Sequence, residues 1–415
     1  MRLPLEDLSV LDLTIWQQGP YASAMLADMG ADVIKIEGPD AVDPGRGLLA
    51  QENGPNPYFE SHNRNKRGMV LDLKAERGRE VFYRLVEKAD VVVQNFRLGV
   101  AERLGVDYPT LTRVNPRLIY ASATGFGRNG GDGERPALDI LAQARGGLMS
   151  VTGEPDSPPT RTFNGFTDQV SAFLLAFGIM VALWHRERTG EGQEVTSSLL
   201  GACVFSQTFN ITSFLMGAGY AGSPIPRISR RVTSPLWNHY QGEDGRWFVF
   251  GMPQIGRYWP IFRGAMQDAV GELVGPEMMS IEYMRGHVFE LAAFLARLDE
   301  LFLKKPALEW VNHFRKYDLL VELVQNYGEL AQDLQVTENN MIVNFDHPGY
   351  GPVRMVGPAV GLSKTGPSVR RPAPEYGQHT EEVLLDYGFG WDEIEALRET
   401  GAIGSAATDL SSSDF

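Results

Sequence analysis

In the first third of the chain, short apolar runs alternate with helix-length segments, and this alternation limits the fold more than any other feature. Residues 10–13 read as a strand, residues 20–29 as a helix with Pro20 in its first turn, and residues 33–37 as a second strand after the Gly30-Ala31-Asp32 stop. Residues 76–88 are amphipathic, with Val81, Phe82, Leu85 and Val86 on one face. Residues 90–93 and 118–122 supply two further strands. Strands separated by helices cannot pair as tight hairpins. They need crossovers, which lay the strands parallel and put helices on both faces of the sheet. The expected class is α/β.

The pattern changes after about Gly222. Pro224, Pro226 and Pro235 punctuate a linker holding Arg227, Arg230 and Arg231. Residues 236–240 and 246–250 flank Gly242-Glu243-Asp244-Gly245, which reads as a hairpin. Helical segments follow at 255–267, 288–304 and 307–320, then two late helices at 379–387 and 391–400, and a Ser- and Asp-rich tail from Gly404 that is expected to fray. The expected division is residues 1–221 and 329–415 in one large domain, with residues 222–328 as a smaller α+β domain.

Charge excludes several function classes. Lys and Arg number 38 against 52 Asp and Glu, net −14, which opposes binding to a phosphate backbone, so no nucleic-acid partner is expected. Cys203 is the single cysteine, so no disulfide framework or Cys-based metal site can form within the chain. The seven histidines show no His-x-x-x-His spacing, and no metal is expected. Residues 1–7 lack a signal-peptide apolar block, and the uncharged run 170–184 suits a buried helix better than a membrane span. A soluble cytoplasmic protein is expected. Residues 61–103 depart from the overall charge, with ten basic and six acidic side chains. Within them Lys74, Arg97 and Arg103 follow strand ends, where α/β folds place ligands. Arg77, Arg79, Arg84 and Lys88 are expected on a solvated helix face.

Gly125-Phe126-Gly127-Arg128-Asn129-Gly130 matches G-x-G-x-x-G, but more loop follows it, and the first strand–helix turn (Trp16-Gln17-Gln18-Gly19-Pro20) has one glycine. Neither NAD nor FAD is expected, and the run reads as a surface loop. With no Gly-x-Ser-x-Gly elbow, and Cys203 in an apolar stretch, Ser or Cys nucleophiles lack support. Asp168 directly precedes the apolar run. A carboxylate there meets unpaired backbone N–H groups and the positive end of the helix dipole, which keeps it ionised. It reads either as an N-cap or as a nucleophile that forms a covalent intermediate.

Several ordered stretches together resemble class III CoA-transferases, the carnitine and bile-acid CoA-transferase group. They include residues 26–37, Asn63-Arg64-Asn65-Lys66-Arg67, Gln94-Asn95-Phe96-Arg97-Leu98-Gly99, Thr124-Gly125-Phe126-Gly127, Arg188-Thr189-Gly190-Glu191-Gly192-Gln193 and Gly377-Gln378-His379-Thr380. The resemblance implies a Rossmann-like large domain built from both chain ends, an inserted small domain and an interlocked homodimer. It implies that Asp168 is the catalytic aspartate, passing through an aspartyl anhydride and an aspartyl–CoA thioester. Gln17 then lies at the active site and the CoA contact, and Asp139 near the catalytic aspartate. Gln18, Leu71, Lys74, Asn95, Phe96, Arg97 and Arg103 are implied to contact CoA. Coenzyme A would enter as an acyl-CoA substrate beside a small carboxylic acid, with no tightly bound cofactor.

The chain departs from the family pattern in places. Gly38 stands where some members carry an Arg for CoA. Gly251-Met252-Pro253-Gln254-Ile255-Gly256 replaces the glycine run of formyl-CoA transferases and is expected to shape a lid for a different acid. Leu138 stands where related α-methylacyl-CoA racemases carry a His, which disfavours that alternative. A non-catalytic CoA-binding protein is the third reading. Phe205, Phe209, Phe214, Met216 and Trp237 read as core rather than as an acyl pocket, and Arg227, Arg230 and Arg231 either hold a second carboxylate or are solvated.

Overall fold

The computed structural model describes residues 2–217, 227 and 229–404. The Pro224 and Pro226 linker and the tail after Gly404 lie outside the described residues. The chain divides into two compact units, Met1–Met149 with Arg161–Ala221 and Leu334–Phe415, and Ser150–Thr160 with Gly222–Asp333.

The first unit is built on a six-stranded sheet: β1 (Ser9–Asp12), β2 (Asp32–Glu37), β3 (Arg67–Val70), β4 (Val91–Gln94), β5 (Ile119–Thr124) and β6 (Glu194–Ser198). Its order is β3-β2-β1-β4-β5-β6 and every pairing is parallel. That is the doubly wound order, whose direction reverses between β1 and β4. Helices α1 (Gln18–Asp28), α2 (Pro57–Asn63), α3 (Glu76–Val86), α4 (Val100–Leu104), α5 (Tyr108–Val114), α6 (Asp139–Arg145), α7 (Leu148–Val151) and α8 (Phe166–Thr189) fall between strands. After β6 come α9 (Leu199–Ser206) and α10 (Thr208–Leu215). One apolar cluster joins α3 to the sheet through Val81, Phe82, Leu85 and Val86, the face read from the sequence. The helix Thr380–Asp386 near the C-terminus adds Val383 and Leu384 to that cluster, so both ends of the chain build one core.

Two strands of this sheet escaped the sequence reading. In β3, Arg67 is buried by ion pairs to Asp32, Glu382 and Asp386, and in β6 polar residues dominate. Arg67 and Gly68 leave β3 only the start of the short apolar stretch Met69-Val70-Leu71, and β6 has a single apolar residue, Val195. The apolar run 170–184 forms the middle of α8, which is 24 residues long. Among the described residues it is the one helix long and apolar enough to cross a membrane by length and composition. Burial is one-sided. Ala172, Leu175, Ile179 and Ala182 pack against the sheet, while Phe173, Phe177, Val181 and Trp184 are more than half exposed. The expectation of a buried helix therefore holds for one face. Phe205, Phe209, Met216 and Trp237 are also more than half exposed and Phe214 is partly so, so these aromatics are surface, not core. Cys203 is fully buried.

The cations of α3 and of the residues just after it are less idle than expected. Arg84 pairs with Glu393 and lies over the Phe389 ring, and Lys88 donates to the Tyr387 carbonyl, so both tie the C-terminal segment down.

The second unit contains the expected hairpin, β7 (Trp237–Gln241) and β8 (Trp247–Gly251), with β9 (Val321–Leu323) added antiparallel to β8. Its core is aromatic, with Tyr240, Phe248, Phe250, Trp259, Phe262, Phe302, Trp310 and Phe314 in mutual contact. The strip Ser150–Thr160 belongs here because the Arg227 guanidinium donates to the carbonyls of Ser150, Glu154, Ser157 and Pro158. Arg230 pairs with Asp299, so these two arginines hold this unit together. Arg231 is exposed. Met252, expected in a lid, is fully buried in this core.

Candidate active site

Loops at the C-terminal ends of β1, β4 and β5 enclose a cavity of about 520 Å³ at the point where the strand order reverses. Ile15, Trp16 and Gln17 come from the first loop, Asn95, Phe96, Arg97 and Leu98 from the second, and Gly125 from the third. Asp168 enters from the first turn of α8, Leu138 from the start of α6 and Tyr58 from α2. In such sheets this crevice is the general ligand position, because the strand-end loops diverge there.

Asp168 does not cap its helix. The N-cap is Gly165, in the left-handed region at φ +82°. The helix start is held instead by Asp139, whose carboxylate accepts from Gly165 N (3.0 Å), Thr167 N (2.7 Å) and Thr167 Oγ1 (2.7 Å). Gln143 Nε2 donates to it as well, at 2.8 Å. Two backbone N–H groups at the head of α8 are thus satisfied from another helix. This leaves the Asp168 carboxyl with no hydrogen bond or ion pair among the described residues.

The Asp168 carboxyl is pushed up to about 7, first by burial and then by the Asp139 charge. Dipole stabilisation was expected to keep it ionised. Desolvation of an unpaired carboxylate, which penalises the charged form, outweighs that effect.

Gln17 lies against the turn that leads into α8. Its Nε2 reaches the Gly165 carbonyl at 3.4 Å, and a Cβ on Gly165 would sit 2.3 Å from that nitrogen. Gly165 is therefore required twice, for its backbone sign and for this close approach. Tyr58 was missed by the sequence reading. Its phenol is raised by burial and by the nearby Asp168 charge. The one available signal was its place in the helix just ahead of the Asn63–Arg67 stretch.

The residues expected at CoA separate into four groups. Gln17, Phe96 and Arg97 line the Asp168 cavity. Leu71, Lys74 and Phe96 line an adjoining cavity of about 220 Å³, which shares Ile15 and Phe96 with the first. Gln18 and Asn95 border the first cavity, but their amides hold protein groups. Gln18 Nε2 donates to Ser171 Oγ and Thr124 O, and the Asn95 amide bonds both backbone groups of Ile15. Arg103 is exposed and lines neither cavity.

The basic excess of residues 61–103 also resolves. Arg64, Lys66 and Arg67 are buried in ion pairs with Asp28, Asp12 and Asp32, while Arg79 donates to the carbonyls of Leu73 and Lys74. Among the described residues of this segment, Lys74, Arg97 and Arg103 are the cations whose side chains have no partner.

Gly38 borders the second cavity without a side chain to offer. Glu37, where a dinucleotide fold would hold ribose, is engaged by Arg46 and the Asp43 N–H. No helix opens at the 125–130 glycines.

The sequence pattern of CoA-transferase family III matches residues 5–380. The chain belongs to this family. It is 33% identical to succinyl-CoA:mesaconate CoA-transferase of Haloarcula hispanica, covering 93% of this chain and 97% of that one. It is 30% identical to (R)-2-hydroxy-4-methylpentanoate CoA-transferase of Clostridioides difficile, covering 96% and 99%. The crystal structure of a CAIB/BAIF family protein from Brucella suis superposes with a TM-score of 0.80 at 27% identity, covering 93% and 100%. This family III member is an acyl-CoA:carboxylate CoA-transferase by class.

Proposed function

We propose that this protein moves coenzyme A from an acyl-CoA to a small carboxylic acid, with Asp168 as the covalent nucleophile. The observation that carries the reading is the unpaired Asp168 carboxyl, held in a strand-end cavity by a helix whose start another acid caps. Asp168 attacks the donor thioester carbonyl, the C–S bond breaks, and a mixed anhydride forms as CoA thiolate leaves. The thiolate attacks the aspartyl carbonyl, releasing the donor acid and leaving an aspartyl–CoA thioester. The acceptor carboxylate attacks that thioester and expels the thiolate. The thiolate then takes the acceptor acyl group and regenerates Asp168. A carboxylate is a weak nucleophile, and a poorly hydrated one is more reactive.

In this reading Gln17 contacts the reacting carboxyl groups, and Asp139 is a positioning residue because its oxygens are occupied by the helix start. Phe96 and Leu71 face the CoA, and Lys74, Arg97 and Arg103 meet its phosphates. Gln18 and Asn95 support the wall. The relatives' named acids differ from one another, so the acid is proposed only as a small carboxylate. A racemase would need a second proton-transfer group beside Asp139, and Leu138 offers none. A second copy of the chain covers the exposed Phe173, Phe177 and Trp184 face of α8, giving a homodimer, and the protein works in the cytoplasm. The two units correspond to a large domain made from both chain ends and an inserted smaller one.

The test is intact-protein mass spectrometry after mixing with an acyl-CoA. A gain equal to CoA less one water, on the peptide bearing Asp168 and absent in Asp168→Ala, is expected. Transfer at undiminished rate by Asp168→Ala overturns the assignment.

A further inference from the structure

The loop from β1 to α1 has no regular structure, yet the side chains of four residues hold it. Thr14 N donates to Asp12 Oδ1 (2.9 Å) and the Thr14 carbonyl accepts from Lys35 Nζ (2.8 Å). Ile15 N donates to Asn95 Oδ1 (3.0 Å) and the Ile15 carbonyl accepts from Asn95 Nδ2 (2.8 Å). Trp16 N donates to Asp43 Oδ1 at 3.0 Å. Each backbone group from Thr14 N to Trp16 N is bonded, and each partner is a side chain.

Trp16 is at φ +67°, in the left-handed region that a bulky residue avoids. Something must hold it there, and the following residue is Gln17. Asp43 is buried behind the cavity wall rather than in it. Its Oδ1 accepts from both Trp16 N and Gly45 N (2.9 Å), and its Oδ2 accepts from Lys35 Nζ (2.8 Å). Lys35 is itself fully buried and bonds the same loop through Thr14. A buried carboxyl that accepts from an ammonium on one oxygen and from two backbone N–H groups on the other is a fixed acceptor, and charge-assisted hydrogen bonds of this kind are strong.

We propose that Asp43, paired with Lys35, is a positioning residue for the transfer reaction. It locks Trp16 in the left-handed conformation and so sets Gln17 against Gly165 at the Asp168 cavity. The inference rests on the reading of Asp168 as the reaction centre.

The experiment is a double-mutant cycle on Asp43 and Trp16, because glycine adopts φ +67° without strain. Asp43→Ala is expected to lower kcat about 100-fold, the scale of an ångström-level misplacement, while KM for acyl-CoA changes by less than about threefold. In a Trp16→Gly background the same substitution is expected to lower kcat less than about fivefold. Asp43→Asn keeps an acceptor oxygen for the Trp16 and Gly45 amides and is expected to recover at least about tenfold over Asp43→Ala. Hydrogen exchange of residues 13–18, which needs no turnover, is expected to quicken in Asp43→Ala and to stay unchanged in Asp168→Ala. Additive losses in the cycle, or a lowered melting temperature with unchanged kcat, overturn the proposal. If Asp43→Ala does not fold, Asp43→Asn with kcat and loop exchange equal to wild type overturns it. If wild-type protein transfers CoA between no acyl-CoA and acid, the Asp168 reading fails, while the exchange data still decide whether Asp43 clamps the loop.

Discussion

The two units solve packing in opposite ways. The first buries charge. Asp12 with Lys66, Lys35 with Asp43, and Arg64 with Asp28 all pair at 2.8 Å with almost no exposure. The second buries rings, and apart from those rings Asn238 is its one buried polar side chain among the described residues. Aromatic packing is strong and tolerant of small rearrangements, whereas a buried ion pair adds little net stability but allows few geometries. The charged pairs Asp12–Lys66 and Lys35–Asp43 lie behind the β1–α1 loop that forms one wall of the Asp168 cavity. The unit that holds the cavity thus trades stability for fixed positions.

The sharpest break of this comparison is at Asp168. Asp168→Asn is expected to reduce transfer at least about 1,000-fold while acyl-CoA binding, followed by calorimetry, survives. The same variant should be more stable than wild type. A carboxyl raised from its ordinary value to about 7 favours folding most below about pH 4, and that contribution is lost as pH rises toward 7. The stabilisation by Asn should therefore be absent near pH 4 and grow to roughly 1–4 kcal/mol at pH 8, read by denaturant titration. For the same reason kcat/KM of the wild type should rise with pH through about 7.

Next in size are the two cores. Lys66→Met strands the Asp12 carboxylate and is expected to cost about 3–5 kcal/mol. Asp12 is held down to about 2 by Lys66 and Lys35 against the opposing effect of burial. Its contribution is present above about pH 4 and lost as pH falls toward 2, so this deficit should shrink in acid. Phe302→Ala is expected to cost a similar ~3–5 kcal/mol, by cavity formation, with no such pH dependence. Equal pH profiles for the two variants would erase the contrast between the units.

The smallest effects fall on exposed cations. Lys74→Ala, Arg97→Ala and Arg103→Ala are each expected to raise KM for acyl-CoA about 3–10-fold, with the increase shrinking at high salt. Because Arg103 lines neither cavity, its effect should be the weakest of the three.

Much of the frame was legible in the chain. The amphipathic face of α3, the β7–β8 hairpin and the helices starting at Ile255, Val288 and Trp391 follow from local periodicity and turn residues. Asp168 stood out through its place before an apolar run and through resemblance to the family. Its chemistry did not. The rule that an acid at a helix start is stabilised failed because burial desolvates this carboxyl and a second acid, 29 positions earlier, holds two of the backbone donors and adds its own charge. The aromatic residues of α9 and α10 misled because composition cannot tell a core face from an uncovered one.

By itself the sequence determined most of the strands and helices and which family the chain resembles, because both depend on neighbours within a few residues or on preserved local stretches. Tertiary structure decided β3 and β6, the capping of α8 by Asp139, the unpaired state of Asp168 and the side-chain hold on Trp16. Each of these depends on groups distant along the chain meeting within 3 Å or so, and burial sets their charge states. Desolvation and pairing are properties of the packed molecule, and no local pattern encodes them.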